Sequence, residues 1–104
     1  MSNSDAPRRS ERTPVMHRLL LVMVDSFGAE LFRETVMTLE TSPGGARICG
    51  RRRLEPGWLG TITMISTGRE AHIRVVWQVP SDVRTEYEAG IELLDAPDFW
   101  EWTA

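Results

Sequence analysis

Two groups of residues in this chain have types and spacing suited to holding an anionic ligand. Arg8, Arg9 and Arg12 crowd into Arg8-Arg9-Ser10-Glu11-Arg12. Further along, Glu40-Thr41-Ser42-Pro43-Gly44-Gly45 gathers a carboxylate, a hydroxyl and two glycines. A guanidinium is a planar fork of donors that meets two phosphate oxygens at once, or O6 and N7 of a guanine. Glycine lets the backbone approach a bound group closely, because no Cβ stands in the way. All 12 positions counted as lysine or arginine are arginine, a preference that is compositional for most of them. Arg47 and Arg51 repeat the spacing of Arg8 and Arg12, so the spacing alone says little. Arg51-Arg52-Arg53 reads as an exposed loop that adds positive potential.

Other chemistries have less to stand on. His17 and His72 lie far apart without metal-ligand spacing, so no metal site is expected. His72, Asp82 and Glu92 have no triad spacing, and no serine sits in a Gly-x-Ser-x-Gly context. The chain is therefore expected to be neither an enzyme nor a cofactor carrier. The single cysteine, Cys49, excludes an internal disulfide and reads as a small buried hydrophobe. A net charge of −3 argues against a general DNA- or RNA-binding surface. Positive charge is instead local, with Arg8, Arg9 and Arg12 facing only Asp5 and Glu11 nearby. The longest apolar stretch, Leu19 to Val24, is far too short to cross a bilayer, and the start lacks a secretory pattern. A cytoplasmic location without membrane insertion is expected.

The elements that must position these groups read as strands. Residues 1–14 are polar, carry Pro7 and Pro14, and read as a flexible tail able to order on a ligand. The remaining chain, 15–104, is one domain. Val15 to Val24 is a strand bounded by Asp25-Ser26-Phe27-Gly28. Leu31 to Leu39 is the second, ended by Ser42-Pro43-Gly44-Gly45, where Pro43 and Gly44 suit a type II turn. Ala46 to Gly50 and Trp58 to Ile65 follow. Ser66-Thr67-Gly68 then makes a hairpin with Glu70 to Val79. In the sixth strand Tyr87, Ala89, Ile91 and Leu93 share one face, and Glu86, Glu88, Gly90 and Glu92 the other. Pro97 to Trp102 suits a short helical turn whose Phe99, Trp100 and Trp102 pack over an open end of the sheet. Trp58 and Trp77 read as core or rim packing. Six short strands with turns between them predict an all-β antiparallel sandwich or barrel.

The arrangement resembles the PilZ family, bacterial domains many of which bind cyclic di-GMP. That family has an Arg-x-x-x-Arg pair before its first strand, fitted here by Arg8 and Arg12 with Arg9 beside them. It also has Asp/Asn-x-Ser-x-x-Gly after its second strand, fitted by Ser42 and Gly45, while Glu40 stands where the family has Asp or Asn. Arg74-Val75-Val76-Trp77 and Ala89 to Asp95 look like the family's last two strands, so the resemblance runs from about Arg8 to Asp95. It implies a six-stranded antiparallel β-barrel of PilZ type with a flexible N-terminal tail. It also implies a cyclic di-GMP site made of Arg8, Arg9, Arg12, Glu40, Ser42 and Gly45, the arginines on phosphates and guanine faces and Glu40 accepting from a guanine edge. Glu40 keeps the acceptor oxygens of Asp and adds a methylene. The protein would then be a non-catalytic receptor signalling to a protein partner. The alternatives are a PilZ-like adaptor that has lost the nucleotide, and a small barrel that stacks single-stranded nucleic acid on tryptophans.

Overall fold

The computed structural model describes residues 16–82 and 85–100. Arg8, Arg9 and Arg12, the tail expected over residues 1–14, and Trp102 lie outside the described residues. The strands are β1 (Arg18–Val24), β2 (Glu30–Ser42), β3 (Gly45–Gly50), β4 (Leu59–Met64), β5 (Glu70–Pro80) and β6 (Tyr87–Leu93). They close into a barrel in the order β1-β2-β3-β6-β5-β4. Every neighbouring pair is antiparallel. The spacing of turns and strands left a sandwich or a barrel open, and the chain forms the closed six-stranded barrel. Among the described residues there is no helix long and apolar enough to cross a membrane.

Strand alternation builds the core. Leu19, Leu21 and Met23 of β1 point inward, joined by Val36, Ile48, Ile62 and Met64. Ala71, Ile73 and Val75 of β5 and Ala89 and Ile91 of β6 complete the lining. Leu54, in the connection after β3, is buried at one end of the barrel. Phe99, after β6, is buried at the other, with its ring edge-on to Trp100 at 4.8 Å. Residues 97–100 form a turn, and the rest of the helical turn expected through Trp102 lies outside the described residues. The chain enters beside β2, where His17 N donates to Thr38 Oγ1 (2.7 Å) and Thr38 N donates to the His17 carbonyl (2.9 Å).

The second strand departs from expectation. It does not end at Leu39 but runs on through Ser42, and Pro43-Gly44 alone make the turn. Thr41 is buried like Thr38, so the strand still has an inward face to offer beyond Leu39. Gly44 does not have the positive φ that a type II turn requires at that position. Glu40 and Ser42 are therefore strand residues on a pleated wall, not turn residues.

Three irregularities interrupt the registers: at Met23/Val24 against β2, at Thr38/Glu40 against β3, and at Val75/Trp77 against β6. Each inserts an extra residue and so reverses which face the following side chains take.

Candidate functional site

In simple alternation Glu40 would follow Val36 and Thr38 into the core, a costly place for a carboxylate. The extra residue Leu39 reverses the phase, so that Thr41 points in and Glu40 points out. The same happens on β5: Ala71, Ile73 and Val75 point inward, Val76 is the extra residue, and Trp77 emerges on the outer face, 36% exposed. Between these two bulges the registers pair Glu40 with Arg47, Arg47 with Gly90, and Gly90 with Trp77. One row of side chains thus crosses four strands, from a carboxylate through a guanidinium and a bare glycine to an indole.

Each member of the row is held. Arg47 Nη1 donates to Glu88 Oε1 at 2.7 Å, and Nη2 donates to Glu40 Oε2 at a longer 3.4 Å. The Glu88 bond, with the charge of Glu40, raises the Arg47 pKa further above its ordinary value, so the cation is fixed. Gly90 has a packing reason: a Cβ there would fall on the Trp77 indole, which lies directly over it. Gly45 has another, since its Cβ would strike the Ile91 carbonyl oxygen where β3 and β6 run close. The glycine expected to admit a ligand is thus also required by the neighbouring strand.

A cleft of about 180 Å³ opens over this row, bordered by Glu40, Ser42, Gly45, Arg47, Trp77 and Gly90. Drug-sized ligands occupy roughly 300–1,000 Å³, so the cleft has room for one planar base or one phosphate, and a dinucleotide would need a further wall. Glu40, Ser42 and Gly45, expected together, are brought together. Arg8, Arg9 and Arg12 lie outside the described residues, but the chain that carries them enters at Thr38, next but one to Glu40. The other Arg-x-x-x-Arg pair is split: Arg47 lines the cleft, while the Arg51 backbone N–H binds the Glu34 carboxylate near the opposite end.

The sequence reading missed Arg47 and Trp77. The signals were present in the run Val75-Val76-Trp77, which strict alternation cannot bury on one face, and in Glu40 falling in core phase. Both announce a bulge.

Cys49, expected as a small buried hydrophobe, is only half-buried and instead donates from Sγ to the Glu86 carboxylate (Oε1) at 2.9 Å. Burial and that carboxylate push its thiol up to about 11. Among the described residues no group of three or more His, Cys, Asp or Glu could hold a metal. No protein-family model matches the chain, and no curated protein is similar to it.

Proposed function

We propose that this barrel is a non-catalytic, PilZ-like receptor for cyclic di-GMP that acts in the cytoplasm and passes the binding event to a protein partner. The carrying observation is the joint position of Glu40, Ser42 and Gly45 on one cleft, beside the point where the arginine-bearing chain enters. Trp77 offers one base an aromatic face at the far side of the cleft. Ser42 offers a hydroxyl, and Glu40 an acceptor for a guanine N1–H and amine. Arg8, Arg9 and Arg12 supply charge-assisted bonds to the second base and the phosphates. The long Glu40–Arg47 contact is the weaker of the two that hold Arg47, so Glu88 keeps the guanidinium in place if that contact is lost.

One observation favours the adaptor reading. Arg47 already occupies the carboxylate that the ligand would use. Calorimetry with cyclic di-GMP separates the two. A receptor binds the nucleotide at micromolar concentration. Each charge-assisted contact contributes about 1.5–3 kcal/mol, so Arg8→Ala and Arg12→Ala each weaken binding at least tenfold. Glu40→Asp, with the family's shorter reach, strengthens binding by about 1 kcal/mol. If neither the wild type nor Glu40→Asp binds at high-micromolar nucleotide, the domain is an adaptor.

A further inference from the structure

We propose that Arg47 is the specificity-determining residue of the polar cleft, donating to O6 and N7 of one guanine and so setting a preference for guanine over adenine. The inference rests on the receptor reading above and adds to it a residue and a rule of selectivity. Arg47 stands on β3 between its cross-strand partners Glu40 on β2 and Gly90 on β6. A guanidinium carries five N–H groups. Here one on Nη1 donates to Glu88 at 2.7 Å and one on Nη2 donates to Glu40 at 3.4 Å, which leaves the others for a ligand. Arg47 borders the cleft and Glu88 does not, so the acid holds the fork from outside the hollow. A guanidinium already held in this way loses little further freedom when it meets a base.

The neighbours fix how that base lies. Gly90 has no side chain, and the Trp77 indole covers it. The backbones of Arg47 and Trp77 are thus two strand spacings apart, about 10 Å, and a purine laid against the indole turns an edge toward Arg47. Guanine presents O6 and N7 there as neighbouring acceptors, which match the fork. Adenine keeps N7 but carries an amine in place of O6, so a donor meets a donor. The adjoining Glu40 acts in the same sense, because guanine has a hydrogen on N1 where adenine has a lone pair. A donor fork beside a carboxylate is therefore complementary to guanine and opposed to adenine at both atoms.

A second hollow, of about 390 Å³ at the opposite end of the barrel, provides a contrast. It is bordered by Val24, Asp25, Ser26, Leu31, Trp58 and Leu59. It too has an indole, but among the described residues its lining holds Asp25 and no arginine. The arginines at that end are outside the lining: Arg52 rests on the Phe32 ring and Arg53 pairs with Glu55. That hollow has no donor fork for O6, so guanine selectivity belongs to the Arg47 cleft.

Calorimetry of the full chain with cyclic di-GMP and with cyclic di-AMP, at one salt concentration, tests this. The two ligands share their phosphates and sugars, so the ratio of affinities reports the base alone. The wild type should prefer cyclic di-GMP at least about tenfold, the scale of one bidentate arginine–guanine pair. Arg47→Lys keeps a positive charge between Glu40 and Glu88 but loses the fork, and it should cut the preference about tenfold. Glu88→Ala leaves the cleft lining in place and releases the guanidinium, and it should cut the preference severalfold; if Arg47→Lys does not fold, as judged by circular dichroism, this ratio decides. A wild type that binds neither nucleotide at high-micromolar concentration would overturn the receptor reading and the role of Arg47 together. A wild type that binds both alike, or a folded variant of either kind whose two affinities fall in parallel or stay unchanged, would overturn the role of Arg47 and leave the receptor reading standing.

Discussion

The two clefts lie at opposite ends of one barrel, and both sit at places where a strand takes in an extra residue. At the polar cleft two bulges, on β2 and β5, face each other across the regular β3–β6 pair and turn Glu40 and Trp77 outward. At the apolar cleft a single irregularity puts Leu31 beside Val24 and Leu59. By contrast, the β4–β5 and β1–β4 registers run without a shift. A closed barrel cannot widen a gap between strands without breaking hydrogen bonds, so bulges are where its wall can carry a hollow. What each hollow recognises then depends on its neighbours. At one end these are Glu40, Arg47 and the Trp77 indole; at the other they are chiefly Val24, Leu31, Trp58 and Leu59, with Asp25 among them.

Substitutions that close one hollow should leave the other intact. The largest effect is expected from Gly45→Ala, whose methyl group must displace the β6 backbone at Ile91. Overpacking of this kind costs about 1–3 kcal/mol, and the upper end applies because backbone must move. Urea unfolding should show that loss, and nucleotide binding should fail. Gly90→Ala meets first the Trp77 ring, a side chain and not backbone. Its stability cost should be about 1 kcal/mol, but with the indole displaced the nucleotide affinity should fall about tenfold in calorimetry, the scale of one stacking contact. A third test, on the scale of the glycine replacements, lies at Cys49 on β3, which borders neither cleft. The Cys49 pKa, raised in the fold from 9.0 to about 11, means that the folded chain keeps its thiol proton where the unfolded chain has lost it. The Cys49 contribution to stability should therefore be constant below pH 9 and fall between pH 9 and 11. Alkylation of Cys49 should be slow at pH 8 and accelerate across the same window, and a pH-independent alkylation rate would contradict the burial and the Glu86 bond.

Much of the barrel was legible because its core obeys alternation: Leu19, Leu21 and Met23, or Ala89 and Ile91, announce their inward face in the sequence. Strand ends were less so. Ser42-Pro43-Gly44-Gly45 looks like one breaker cluster, yet Ser42 and Gly45 still pair across the ladder and only Pro43 and Gly44 turn. A backbone hydrogen bond can persist into residues of poor strand propensity when a buried threonine, here Thr41, anchors the next inward position. The site was half legible for a related reason. Glu40, Ser42 and Gly45 lie together in the sequence, but Arg47 and Trp77 reach the cleft only through registers that a bulge had reset.

The stacked rings of His17 and Trp100, 5.9 Å apart, mark where the chain enters and leaves the barrel at the same end. A fold whose two ends emerge side by side is connected to the rest of a polypeptide at one point only. It can be set into a surface loop of a host protein without stretching that loop. A short link from residue 100 to residue 17 would close it into a ring, and the tight turn at Gly68 could then be cut to give new ends. The six-strand order would survive, because none of its pairings depends on which turn is left open.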